Sequence, residues 1–243
     1  MCVLAFAWKA HPRWRLVMIG NRDELHARPS APLARWDDQP EILAGRDLVA
    51  GGTWLGVSDR GRFAVITNVA NPEGPRPAAA SRGTLVTDAL NGEDGSHDDL
   101  AAYNRFNLIA ADTNAPRFTT NHPESGSRRL GSGICGVSNG ALDEAWPKTE
   151  RIKAMLDSWL EADSGDSEAL LGALRSDDSP QVEPERARHS PIFIRNPVYG
   201  TRCSTVVMID ESGEGLIAEH CYDARGDPAG QSRLVFQWPL KSK

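Results

Sequence analysis

Two short apolar runs, residues 2–8 and 14–20, open the chain, with only Lys9-Ala10-His11-Pro12-Arg13 between them. Runs this short, without polar alternation and bounded by a His-Pro turn signal, suit strands buried on both faces. Five intervening residues are too few for a crossover, so the two runs are expected to form an antiparallel hairpin. With Trp8 opposite Trp14, partner numbers sum to 22 and Cys2 faces Gly20. Asn21-Arg22-Asp23-Glu24 then follows within about 7 Å of Cys2, the span of two strand residues.

The same construction recurs twice. Residues 53–58 and 63–68 flank Asp59-Arg60-Gly61-Arg62, and residues 204–210 and 216–222 flank Glu211-Ser212-Gly213-Glu214-Gly215. Both connections carry strong turn residues. The open end of the second hairpin carries Gly51-Gly52-Thr53 opposite Asn68, and that of the third carries Arg202. Polar residues at three open ends predict a shared site at one edge of a sheet system. Residues 106–111 read as another buried strand, with 117–120 as its partner. Helical signals fall at 81–90, at 98–103, at 167–174 and, most clearly, from Trp146-Pro147 onward, where Ile152, Met155, Leu156, Trp159 and Leu160 recur at helical spacing. Residues 163–190, rich in Asp, Glu, Ser and Pro, are expected to be a solvated insertion or mobile loop. There are no internal repeats. Strand groups before and after a helical middle predict an α+β fold, two antiparallel sheets with helices outside, in one domain spanning 1–243.

Composition narrows the function classes. The 243 residues are 40% hydrophobic and 25% charged, with a net charge of -6 and no dense basic cluster, so a nucleic-acid partner is not expected. No apolar run approaches the roughly 20 residues of a membrane span. The N-terminal run lacks a basic leader and a small-residue cleavage site, so a cytoplasmic protein is expected. The four cysteines, Cys2, Cys135, Cys203 and Cys221, are scattered without paired spacing, which argues against disulfides and against a metal site. Adjacent strand residues such as His220 and Cys221 point to opposite faces. Cys135, Cys203 and Cys221 are expected to be free packing thiols. Gly131-Ser132-Gly133-Ile134-Cys135-Gly136 satisfies G-x-G-x-x-G, but no strand signal precedes it and no helix start follows, so a glycine-rich loop is expected rather than a dinucleotide site. A homo-oligomer is compatible with all of this.

Chemistry concentrates at Met1-Cys2. Removal of Met1 leaves a thiol beside a free α-amine, whose ordinary pKa of about 7.7–8.0 suits a general base near neutrality. One residue then supplies nucleophile and base. A permanent charge on Arg22 favours thiolate, and Asp23 can accept a hydrogen bond from the amine and orient it. Asn68 and Asn139 are neutral donors suited to an oxyanion hole. Arg202 can grip a substrate carboxylate or hold Asp23. Each also has a bland alternative: a small buried cysteine, a surface ion pair, turn asparagines and a solvated arginine.

Met1-Cys2, Asn21-Arg22-Asp23-Glu24, Arg28-Pro29, Gly51-Gly52-Thr53-Trp54-Leu55-Gly56, Thr67-Asn68, Phe106-Asn107-Leu108-Ile109-Ala110-Ala111-Asp112, Leu142 with Trp146-Pro147-Lys148, and Tyr199-Gly200-Thr201-Arg202 together resemble the NRDE family, that of the transport and Golgi organisation protein 2. The resemblance runs in order from residue 1 to about 225 and fades across 163–190. That family is similar in turn to N-terminal-nucleophile (Ntn) hydrolases of the choloylglycine hydrolase and penicillin V acylase type. The resemblance implies a four-layer αββα sandwich and amide cleavage. Cys2, Arg22, Asp23, Asn68, Asn139 and Arg202 match the hydrolases' site pattern, although those enzymes separate the Arg and Asp by three positions. Asn21, Glu24, Thr53, Trp54, Thr67 and Trp146 are the expected substrate-binding positions. The implied reaction is Ntn-type cysteine amidohydrolysis of a small-molecule amide, needing no cofactor. The alternative implied by the family's links to haem trafficking and lipid or acyl-CoA homeostasis is a carrier, in which Cys2, His11 or His122 ligates haem iron and Trp54 and Trp146 line the cleft.

Overall fold

In the computed structural model, residues 2–93, 99–176 and 191–240 are described. Strand β1 (Val3–His11) pairs with β2 (Trp14–Leu25) in the expected antiparallel hairpin, but partner numbers sum to 24 rather than 22, as in Leu4 with Gly20 and Trp8 with Leu16. The reason is local. The first strand continues to His11 through an irregularity after Trp8, where Lys9 adopts a φ of 45°, so only Pro12 and Arg13 remain in the turn. A slip of two keeps every side chain on its expected face. Val3 now lies opposite Asn21, and extending the register by one residue puts Arg22 across from Cys2.

The second and third hairpins also form. One sheet runs in the order β3 (Ser30–Arg35), β4 (Ile42–Asp47), β5 (Leu55–Ser58), β6 (Arg62–Asn68), β7 (Phe106–Ala111), β8 (Pro116–Asn121), β9 (Ser125–Arg129). The other contains the opening hairpin with β10 (Gly133–Val137), β11 (Tyr199–Asp210), β12 (Glu214–Tyr222) and β13 (Pro228–Gln237), in the order β10-β1-β2-β11-β12-β13. Every pairing is antiparallel. The tight turns use left-handed glycines where the sequence placed them, Gly61 with φ 74° and Gly213 with φ 87°.

Alternation along the opening strand explains why it reads as continuously apolar. Leu4, Phe6 and Trp8 enter the core between the sheets, where Phe6 meets Phe63 with ring centroids 5.5 Å apart. Val3, Ala5 and Ala7 face the helices α2 (Pro147–Ala162) and α3 (Ser167–Ala173), packed by Ile152, Leu156 and Leu171. On the far side, α1 (Arg82–Asn91) buries Leu85, Val86, Ala89 and Leu90 against Ala64, Ile66 and Phe106. The result is a four-layer αββα sandwich. A strand covered on both faces has no water-facing side to mark with polar residues.

Three local expectations change. Leu170 and Leu171 of α3 are buried, so the beginning of 163–190 packs as core; residues 177–190 lie outside the described residues. Within 98–103 only a single 3-10 turn forms, Leu100–Ala102, and residue 98 lies outside the described residues. The glycine-rich segment is largely a strand: Cys135 pairs with Phe6, and a Cβ on Gly136 would sit 2.7 Å from Thr149 Cγ2. Glycine there admits the overlying helix. Among the described residues, no helix is long and apolar enough to cross a membrane.

Candidate active site

The open ends of the three hairpins meet at a cleft of about 680 Å³ whose lining includes Cys2, Arg22, Asp23, Asn68 and Arg202. Cys2 sits just ahead of β1, is 6% exposed, and is fixed by its own carbonyl, which accepts a hydrogen bond from Ser138 Oγ at 2.6 Å. Its side chain faces the same way as Leu4 and Phe6, into the space between the sheets. The core fills that space further along and stops short at the strand ends, which leaves the thiol at the cleft.

Asp23 follows from β2 and is also buried. Its Oδ1 accepts the Thr201 hydroxyl at 2.6 Å, and Tyr199 donates its phenol to the Asp23 carbonyl at 2.8 Å. Opposite these residues, β11 carries one residue too many: Thr201 pairs with Asp23 and Cys203 with Arg22, which leaves Arg202 as the bulge. A bulge re-aims its side chain. The Arg202 guanidinium turns to the chain beyond β2, donating to the carbonyls of Leu25 (2.9 Å), His26 (3.3 Å) and Arg28 (3.0 Å). It lines the cleft while bracing its floor; the hydroxyl of Thr201, not Arg202, holds the Asp23 carboxyl.

Arg22 and Asn68 present unengaged donors at the cleft. Among the described residues, neither the Arg22 guanidinium nor the Asn68 side-chain amide has a hydrogen-bond or ion-pair partner. Asn68 is anchored through its main chain instead, its carbonyl accepting from Asn139 Nδ2 at 2.7 Å. Asn139 is buried behind it and does not line the cleft; Lys148 Nζ donates to its Oδ1 at 3.4 Å, and Ser138 Oγ, whose proton goes to the Cys2 carbonyl, lies 3.2 Å from the same oxygen.

Burial sets the electrostatics. It pushes the Cys2 thiol up, opposed first by the charged chain terminus and least by Arg22, with the Asp23 charge adding to the rise. The expected favouring of thiolate by Arg22 is therefore present but outweighed. Burial likewise raises the Asp23 carboxyl to about 6, against the opposing effects of the charged chain terminus first, then the Thr201 hydrogen bond and the charges of Lys148 and Arg22. Cys135 and Cys221 are pushed to about 12 by burial, and Cys203 well above its ordinary value; none of these thiols is in a disulfide.

Of the expected substrate-binding positions, Glu24, Thr53 and Trp54 line the cleft. Asn21, Thr67 and Trp146 do not. Asn21 faces the helical layer, donating to the carbonyls of Leu174 and Ile192 at 2.9 Å each and accepting from Ser204 Oγ at 2.6 Å. Thr67 is buried beside Asn107, and Trp146 donates to Glu144 Oε1 at 2.7 Å. His11, at the opposite end of the opening hairpin, and His122 are not among the lining residues either. Among the described residues, no group of three or more His, Cys, Asp or Glu side chains is set to hold a metal ion.

Several residues of the site escaped the sequence. Thr201 carried a usable signal, its place opposite Asp23 in a third hairpin. Arg82, largely buried at the start of α1, lines the cleft with its charge felt by Cys2 and Glu24. Glu219, read only as a strand residue, accepts from the Leu33 main chain of the other sheet at 2.8 Å and joins the two walls. Lys148 stood in the family motif Trp146-Pro147-Lys148 without being read as a site residue.

The family model for transport and Golgi organisation 2 matches residues 1–224. The transport and Golgi organization protein 2 homolog of Bos taurus is 32% identical over 278 residues, covering 100% of both chains. The chain belongs to the transport and Golgi organisation 2 family. The Homo sapiens homolog of that family is 32% identical over 255 residues, 90% of this chain and 92% of its own, and the Drosophila melanogaster protein is 24% identical over 271 residues. Among solved structures, a Caenorhabditis elegans N-acylethanolamine-hydrolyzing acid amidase ortholog is similar with a TM-score of 0.47 and 13% identity, over 84% of this chain and 92% of that one.

Proposed function

We propose that this member of the transport and Golgi organisation 2 family is an Ntn-type cysteine amidohydrolase acting on a C–N bond of a small-molecule amide. The observation that carries the reading is the meeting at one cleft of Cys2, the buried Asp23 and the two unengaged donors Arg22 and Asn68. A volume of about 680 Å³ suits a small molecule rather than a protein partner.

With Met1 removed, the α-amine of Cys2 takes the thiol proton as sulfur attacks the amide carbonyl. A buried neutral thiol suits this order of events, since its charge develops only as the bond forms. The Asn68 amide donates to the developing oxyanion, and Asn139 supports it from behind through the Asn68 carbonyl. Asp23, ionised above pH 6, accepts a hydrogen bond from the amine and orients it. The ammonium returns its proton to the leaving amine, and water then releases the acyl group from sulfur.

The test is the terminus. A form that retains Met1 has an amide nitrogen in place of the base, so it is expected to lose turnover. Cys2→Ser should lose most of it, and Cys2→Ala should lose it entirely while keeping the fold. Intact mass defines which terminus is present and an amide library supplies the assay. Equal turnover by both termini would remove the amine from the mechanism.

A further inference from the structure

Lys148 is the second residue of α2 and is 1% exposed. Lysines at such positions ordinarily bury their methylenes and send the ammonium to water. Lys153, one and a half turns on, does so, pairing with Asp143 at 3.1 Å and Glu150 at 3.6 Å at the surface. Lys148 points inward. Its Nζ reaches Asn139 Oδ1 at 3.4 Å and lies 5.7 Å from the centre of the Trp146 ring, and among the described residues no carboxylate stands within ion-pair distance. An ammonium withdrawn from water with one neutral oxygen for a partner is unfavourable for the fold, and a methionine would pack the same stem without that cost. Such a group calls for a reason other than stability.

The surroundings supply one. Lys148 meets Asn139, whose Nδ2 holds the Asn68 main chain, and Ser138, the next residue back, holds the Cys2 carbonyl. Burial lowers the pKa of its ammonium, the charges of Asp23 and Cys2 oppose that fall, and Lys148 in turn holds the Asp23 carboxyl down. The other charged groups nearby are committed or already counted. Glu144 is bonded to Trp146 Nε1 and Ala141 N, Glu150 and Asp143 pair with Lys153, and Arg22 and Arg82 act on Cys2 from β2 and α1.

We propose that Lys148 is a positioning residue of the Cys2 site: its enclosed ammonium fixes the Asn139 amide and is the standing positive charge against which the Cys2 sulfur and the Asp23 carboxylate carry negative charge. The inference rests on the amidohydrolase reading for its purpose, but its test needs no substrate. The rate of Cys2 alkylation by iodoacetamide is followed from pH 6 to 10 by peptide mapping. The wild type is compared with Lys148→Met, Lys148→Gln and Lys148→Arg, each checked for its melting transition. In the two neutral variants the alkylation rate at each pH below the midpoint falls about tenfold, while the melting temperature holds or rises. Lys148→Arg keeps the charge and stays close to wild type. An unchanged profile in a folded neutral variant, or loss of folding in both, overturns the proposal. A moved profile without turnover of any amide would sink the amidohydrolase reading alone; turnover with an unmoved profile would sink only the role of Lys148.

Discussion

Thr201 and Asp23 face each other across β2 and β11, and the Thr201 hydroxyl donates to Asp23 Oδ1 at 2.6 Å while accepting from Ile194 N at 2.9 Å. Thr201→Val keeps the shape and removes both bonds, one from the buried Asp23 carboxyl and one from the partly buried Ile194 N–H. The expected loss is about 1–3 kcal/mol of stability. Without its donor, the Asp23 carboxyl rises further, so the acid limb of the pH–rate profile moves up. Thr201→Ser should retain both properties. Denaturant unfolding and a pH profile check the pair together, and an acid limb unmoved by valine would contradict the role given to Thr201.

Asp23 also makes a prediction about stability and pH. Because burial raises its carboxyl from 3.8 to about 6, the folded state binds this proton more tightly than the unfolded chain between those values. The stability tied to this group is therefore full below pH 4 and is lost as pH rises through about 6. A rise of that size corresponds to about 3 kcal/mol. Asp23→Asn should accordingly be more stable than wild type at pH 7, by about 1–3 kcal/mol, converge with it below pH 4, and have no turnover. Urea unfolding at both pH values reads this directly; a destabilised Asp23→Asn at pH 7 would contradict it.

Asn21 separates a structural residue from its cleft-lining neighbours Arg22 and Asp23. Its amide satisfies two carbonyls of the helical layer and the Ser204 hydroxyl, all buried. Asn21→Ala is expected to cost about 3–5 kcal/mol, with KM unchanged for the fraction that folds. A raised KM in the folded variant would return Asn21 to the binding surface.

These residues show what could be read from the chain. The opening runs declared a buried hairpin because both faces of β1 are covered, and the register error of two residues did no harm since it preserved sidedness. It came from Lys9, whose left-handed backbone no sequence pattern announces. Asn21 stands beside Arg22 in the sequence yet faces the opposite layer, and the two-residue period of a strand predicts that separation once the thiol's face is known. Asn139 and Lys148 were harder. Asn139 bonds to Asn68, 71 positions away, and a lysine in the first turn of an amphipathic helix looks solvated until its neighbours are in place. The edge strand β10 hid behind a glycine pattern, because glycine here serves close packing under α2 rather than phosphate binding.

The cleft wall formed by α1 depends on one close approach. A Cβ on Gly52 would lie 2.6 Å from the Gly83 carbonyl carbon, and Gly83 belongs to the first turn of the helix that carries Arg82. Gly52→Ala must push main chain against main chain, with an expected loss of about 1–3 kcal/mol and a displaced Arg82. Thermal unfolding measures the first and Cys2 alkylation kinetics the second. Wild-type behaviour in both would show that this wall yields freely.

The proposed mechanism requires a covalent bond between the Cys2 sulfur and substrate. The most direct measurement is an acid quench of Met1-free protein mixed with a library of small N-acyl amides, followed by intact mass and peptide mapping. One acyl group per chain is expected, carried on the peptide that begins at Cys2, together with a burst of released amine of the same stoichiometry. Amine release without any adduct on Cys2, or an adduct on Cys203 or Cys221 instead, would contradict it.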